Sequence, residues 1–386
     1  MKNMKFKLLL IIILASISVY GQDSKTDCFL KYKSDSILKC QKDSTLSLLF
    51  IGDVMGHKSQ IKAAYNKKTK QYHYTNVFKH VSPIFKSVDY TIANLEVTLA
   101  GKPYNGYPAF SSPDALITAC KSSGISILTT ANNHSCDRGK RGLLRTIKVL
   151  DSLKIPHTGT FRNTEERKNK NLLIIEKNNI KVGILNYTYG TNGIKVRKPT
   201  IVNLIDTAII SKDIKDSKIQ NLDKLIVSIH WGIEYKTTPN KNQKDLAKFM
   251  FNKGVDIIIG SHPHVLQRME YHPEKINEKE KLIVYSLGNF VSNQRTSPRD
   301  GGAMLKFTLK KENNKTSISD CGYYLTWVNK PKIEGKTTFE VLPCYKYELD
   351  SLPRISKFSQ KKMKIYINKS RKLYKEQNIN IKEIIK

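Results

Sequence analysis

GVDIIIGSHPHV, residues 254–265, is the stretch on which the fold turns. The run Asp256–Ile259 is short and β-branched, as a buried strand requires, and it gives out at Gly260 into Ser261-His262-Pro263-His264. Two imidazoles two residues apart can face one point if the backbone turns between them, and Pro263 fixes that turn. Taken alone they could be plain strand caps.

The same grammar recurs along the chain. Leu46–Ile51 ends in Gly52-Asp53, Tyr90–Ala93 in Asn94-Leu95-Glu96, and Ile125–Thr130 in Ala131-Asn132-Asn133-His134. Leu225–Ile229 ends in His230-Trp231-Gly232, and Leu282–Ser286 in Leu287-Gly288-Asn289-Phe290. Between these runs Gly142–Leu153 and Asn242–Lys253 place leucines, Ile147, Phe249 and Met250 at helical spacing. Strands alternating with amphipathic helices predict an α/β protein, whose ligands bind beyond the carboxyl ends of the strands. After Ala303 the runs Met304–Leu309, Tyr323–Val328 and Thr337–Leu342 predict antiparallel strands, and Ser356–Gln377 a lysine-rich helix, solvated or facing a membrane.

Collected from the strand ends, Asp53, His57, Glu96, Asn133, His230, His262 and His264 are carboxylate, imidazole and amide donors, the usual ligand types of a Mn, Fe or Zn site. His134, beside Asn133, would be free to donate a proton. Asp137 either orients His134 or caps the helix that follows, with capping the preferred reading.

Lys2, Lys5 and Lys7 precede an apolar run, Leu8–Val19, and a small residue at Gly21. This reads as an export signal over 1–21 cleaved after Gly21, or else as an uncleaved anchor, giving a periplasmic or surface protein. Residues 22–45 read as a linker, 46–345 as the main domain and 346–386 as a basic helical extension. Export would place the six cysteines in an oxidising space, where Cys28 with Cys40 and Cys321 with Cys344 are the pairs suggested by proximity; free thiols are the alternative. The formal charge of +33 favours an anionic partner, unless it merely reflects a composition rich in lysine. An anionic polymer of the envelope suits an exported chain; nucleic acid does not, because no recognition motif is present.

GDVMGHKSQ (52–60), TANNHSCDRG (130–139), HWGIEY (230–235), GVDIIIGSHPHV (254–265) and YSLGNFVSNQR (285–295), in this order, resemble the CapA family of bacterial capsule, or poly-γ-glutamate, synthesis proteins. That family is similar to calcineurin-like metallophosphoesterases. The resemblance implies a four-layer αββα sandwich with one or two divalent metal ions at the strand ends. It further implies poly-γ-glutamate or a similar capsule polymer as partner, with capsule synthesis membrane proteins beside it. Asp53, Asn133, His230, His262 and His264 match ligand positions, His134 the catalytic imidazole, and Glu96 a bridging carboxylate. Where phosphoesterases carry a histidine two residues after the first aspartate, this chain has Met55, and His57 follows four residues after Asp53.

Overall fold

The computed structural model describes residues 44–274, 279–348 and 355–385. The export segment, most of the linker, Cys28 and Cys40 lie outside these described residues. Among them no helix is long and apolar enough to cross a membrane.

From the N-terminal side run β1 (Ser44–Val54), α1 (Lys58–Ala64), β2 (Tyr90–Leu95), α2 (Ala115–Ser123), β3 (Ile127–Thr129), α3 (Gly139–Ser152) and β4 (His157–Thr158). A second series follows: β5 (Leu173–Lys177), β6 (Ile180–Thr188), α4 (Thr207–Ser217), β7 (Lys224–His230), α5 (Lys241–Lys253), β8 (Ile257–Ser261), β9 (Leu266–His272) and β10 (Lys281–Leu287). The chain then returns through β11 (Asn289–Val291), β12 (Gly301–Glu312), β13 (Lys315–Asn329) and β14 (Glu340–Pro343) to α6 (Lys357–Gln377) and β15 (Lys382–Glu383). A nine-stranded sheet has the order β14-β13-β12-β1-β2-β3-β4, with β11 on β1 and β15 on β13; a six-stranded sheet has the order β9-β10-β8-β7-β6-β5.

Strand alternation explains the layers. In β1, Leu46, Leu48 and Phe50 join Ile92, Val182, Ile184, Ile226 and Ile257 in one buried cluster, so these side chains fill the space between the two sheets. Leu49 and Ile51 point the other way, onto Leu116, Ile117, Val149 and Leu150 of α2 and α3. Leu225, Val227 and Ile229 of β7 likewise turn outward onto Ile210, Ala247 and Met250 of α4 and α5. Helix, sheet, sheet, helix is the αββα sandwich expected from the sequence.

One crossing knits the sheets together. β10 belongs to the six-stranded sheet and β11, two residues later, to the nine-stranded one, with Gly288 between them at φ +67°. The Asp53 N–H donates to Gly288 O at 3.1 Å. A Cβ on the neighbouring Gly52 would stand 2.0 Å from that oxygen, so only glycine permits the approach.

The lysine-rich helix is α6, with Ser356 as N-cap accepting from Ser359 N. Its apolar stripe is turned into the protein: Met363, Tyr366, Ile367 and Tyr374 belong to the cluster between the sheets. That stripe is therefore unavailable to a membrane. The suggested Cys321–Cys344 bridge is absent, and Cys120, Cys136, Cys321 and Cys344 are all free thiols. Register explains it: Cys344 follows Pro343, the partner of Thr326, five residues from Cys321 along β13. That is roughly 15 Å of strand, beyond the reach of a disulfide.

Tyr366 is fully buried and its hydroxyl donates to Gly302 O at 2.8 Å. Tyr366→Phe is expected to cost about 1 kcal/mol and Tyr366→Ala about 3–5 kcal/mol in chemical denaturation. A small effect of both would mean that α6 is peripheral to the fold.

Candidate metal centre

The site lies where the carboxyl ends of β1, β2, β3, β7 and β8 meet between the sheets. Asp53, Glu96, Asn133, His134, Asp137, His230, His262 and His264 are all buried there. Ligand-capable atoms of Glu96, His230 and His262 lie within 4.8 Å of one another, as do those of Asp53, Glu96 and His264. Glu96 belongs to both groups. Its Oε1 is 3.4 Å from His230 Nε2 and 3.8 Å from His264 Nε2. Asn133 Oδ1 joins the first group, 2.8 Å from His230 Nε2.

The turn after β8 explains how two histidines two residues apart aim at one place. His262 has φ +100° and His264 φ +57°, conformations that cost a non-glycine residue about 1–3 kcal/mol each. The Tyr235 N–H holds the turn by donating to Pro263 O at 2.8 Å. Side chains around the cluster fix the rings. Asn289 Oδ1 lies 3.1 Å from His264 Nδ1, and the Asn289 amide in turn donates to Arg299 O at 2.8 Å and to Gln294 Oε1 at 3.0 Å. Ser261 Oγ lies 3.0 Å from His230 Nδ1, and Asn94 Nδ2 donates to Asp53 Oδ1 at 2.8 Å. Such outer contacts leave the Nε2 atoms of His230 and His264 turned toward Glu96.

Glu96 Oε1 and Oε2, Asp53 Oδ2 and His262 Nδ1 are buried and have no hydrogen-bond partner. An unmatched buried polar atom costs about 1–3 kcal/mol, and unmatched acids and imidazoles gathered in two groups that share Glu96 fit cations. Burial, with the neighbouring Asp53 charge second, pushes the Glu96 carboxyl well above the ordinary range. Burial pushes His230 down to about 3, and burial with His230 and His264 beside it pushes His262 down to about 2. Both imidazoles are thus neutral at physiological pH, the form that binds metals. For His264 burial acts downward, but Glu96 and Asp53 outweigh it and raise the ring to about 9. Asp53 is raised by burial and brought below the usual value by its contacts with His264, His230 and Asn94.

His134 adjoins the cluster. Its Nδ1–H donates to Asp137 Oδ2 at 2.8 Å, and the same carboxylate oxygen accepts from Phe110 N at 2.8 Å. The N-cap position of α3 is Arg138, which makes no side-chain cap bond, so Asp137 orients His134 and does not cap the helix. Capping would need the carboxylate turned to the helix amides; the imidazole has claimed it. Burial disfavours a charged His134, but Asp137 and the charge of Glu96 overcome this and raise its pKa above 6.5. Phe110 meets the ring edge-on at 4.7 Å. Asn192 links the two halves, accepting from Asn133 Nδ2 at 3.1 Å through Oδ1, while its Nδ2 lies 3.4 Å from His134 Nδ1.

The structure does not bring His57 into either ligand group. It sits at the start of α1, where its Nδ1 accepts from Asn293 N at 3.2 Å and lies 3.1 Å from Gln60 Oε1. Asn94, Asn192 and Asn289 are site residues that the sequence reading passed over as ligands or orienters. Asn94 and Asn289 each stand beside a strand end, which is the one signal that could have singled them out.

Two carboxylates, an asparagine and three imidazoles thus gather at abutting strand ends of an αββα sandwich. The family profile described as bacterial capsule synthesis protein PGA_cap matches residues 47–294, and the chain belongs to that family. The capsule biosynthesis protein CapA of Bacillus anthracis is 31% identical over 294 residues, covering 73% of this chain and 68% of that protein. The PGA biosynthesis protein CapA of Bacillus subtilis (strain 168) is 30% identical over 285 residues, covering 71% of this chain and 70% of its own. The calcineurin-like phosphoesterase YfkN of Bacillus subtilis superposes with a TM-score of 0.44 at 14% identity, over 86% of this chain and 97% of that one.

If the orphaned donors form a cation site, adding Mn²⁺ to chelator-treated protein stabilises it by about 2.7 kcal/mol at a hundred times the dissociation constant. Glu96→Gln is expected to abolish that increment in thermal melts. An equal increment in the variant would place the ion elsewhere.

Proposed function

We propose that this protein acts in the synthesis or export of an anionic capsule polymer of the cell envelope, poly-γ-glutamate being the substrate class. With one or two divalent ions (Mn, Fe or Zn) bound, its centre would serve hydrolysis of the amide linkages of such a polymer; the alternative reading is a hydrolase of a phosphoester. The observation that carries the reading is Glu96, with both oxygens unmatched between two imidazole groups, next to an oriented His134–Asp137 pair. Membership of the capsule synthesis family, the export-type N-terminus and the charge of +33 support the substrate class.

Asp53, Glu96, Asn133, His230, His262 and His264 would hold the ions, with Glu96 shared. Such ions supply Lewis acidity toward a carbonyl or phosphoryl oxygen. The remaining work falls to the chain. Asp137 fixes the Nδ1–H tautomer of His134 and favours the protonated ring, so His134 Nε2 is the atom that gives a proton to the leaving group. Asn192 accepts from the Asn133 amide and lies against the His134 ring, which keeps the acid beside the ligand cluster. The buried Phe110 packs edge-on against the His134 ring.

The test is turnover of poly-γ-glutamate and of a simple phosphodiester by Mn²⁺-loaded protein. His134→Ala is expected to lower kcat by about 10²–10⁴-fold with metal content unchanged. Because Asp137 raises the His134 pKa and the acid form is the active one, the rate falls as pH rises through that value. Asp137→Asn should move the alkaline limb to lower pH. Identical pH–rate profiles, or equal rates for wild type and His134→Ala, would remove His134 from the chemistry.

A further inference from the structure

Two surface cavities, of about 310 and 250 Å³, share Thr237 as a wall and so form one groove. The first is lined by Ile233, Lys236 and Asn240, from the loop that leaves His230; the second by Leu266, Pro298, Lys369, Lys372 and Leu373. The loop that walls the first cavity also touches the metal centre. Tyr235, in the same loop, has its ring 6.2 Å from that of His264, and its N–H holds the turn carrying both histidines. The Arg299 guanidinium lies over the Tyr235 ring at 4.6 Å, and Arg299 follows Pro298 of the second cavity. At its other end the groove reaches α6, whose exposed side is lysine after lysine.

Charge and shape then choose the occupant. Arg299, Lys236, Lys369 and Lys372 flank the path, while Glu376, the acidic residue of its lining, already faces Lys372 at 4.0 Å. Glu234 is exposed beside Tyr235 at the entrance. The floor is apolar, from Leu266 and Leu373. Cationic walls over an apolar floor suit a flexible chain in which carboxylates alternate with methylene groups. Building on the reading of the substrate as an anionic polymer, we infer that a polycarboxylate chain runs from the metal centre past Tyr235 and Arg299, along Lys236, and onto Lys369 and Lys372 of α6. The C-terminal helix is thus part of the substrate track as well as of the core: its buried face holds the fold and its outer face holds the polymer.

Fluorescence anisotropy with end-labelled poly-γ-glutamate of graded length tests this at low and at moderate salt. For wild type, affinity should rise with chain length and fall with added salt. The double variant Lys369→Glu/Lys372→Glu should bind long chains about tenfold more weakly and lose most of the length dependence. Both lysines are exposed, so the variant is expected to melt with wild type. The comparison variant Lys86→Glu/Lys148→Glu makes the same change of charge at exposed positions on the outer side of the nine-stranded sheet. It should bind like wild type. Equal weakening in the two double variants would replace the track with diffuse attraction. Undiminished binding in Lys369→Glu/Lys372→Glu would overturn the track and leave the reading of the substrate standing. Failure of wild type to bind the polymer at any length would overturn both.

Discussion

A carboxylate sealed from water, with neither oxygen met by a donor, is the constraint around which this protein is arranged. Glu96 is fully buried and stands beside the equally buried Asp53. Two acids removed from water cost several kcal/mol each unless positive charge is supplied in their midst. The chain supplies part of it through His264, which the two acids hold in its charged form. It keeps His230 and His262 neutral by the same burial, which leaves each a lone pair for an ion beside Glu96. A divalent ion between them supplies the missing positive charge, and His264 gives up its proton to become a ligand.

Holding that convergence asks much of the backbone. The His262-Pro263-His264 turn keeps two non-glycine residues at positive φ, and the protein compensates by tying the turn to Tyr235 N and the His264 ring to Asn289. Asn289 in turn begins β11, the strand by which the chain passes from one sheet to the other, at the point where Asp53 meets Gly288. The site is therefore not laid on the fold. It is the seam at which the two sheets are joined, and the strain of the turn is borne by the same contacts that join them.

Much of this was legible in the sequence. Short, mostly apolar runs that stop at polar clusters marked β1, β2, β7, β8 and β10, because a strand buried on both faces needs such a run and the ligand groups appear where it ends. The lysine-rich helix was also marked, its limits within a residue of those observed. What it packs on was not, since a stripe of Met363, Tyr366, Ile367 and Tyr374 has the same period whether it meets a core or a membrane. Asp137 was misjudged for a related reason. An acid just ahead of a helix is a common cap, and only the three-dimensional path of residues 134–137 reveals that the imidazole reaches it first. The thiol pairing failed because nearness in sequence says nothing about register across β13 and β14. Asn94, Asn192 and Asn289 escaped notice because an amide carries no charge pattern by which its role could be singled out.

The central claim is that Glu96 is the shared member of a divalent-ion centre at the seam of the sheets. Anomalous diffraction from crystals soaked in Mn²⁺ tests it most directly. The expected result is anomalous density against Glu96, between it and His230 with His262, and also between it and Asp53 with His264 when both positions fill. Density at other residues, or none near Glu96 in crystals that retain Mn²⁺, would contradict it.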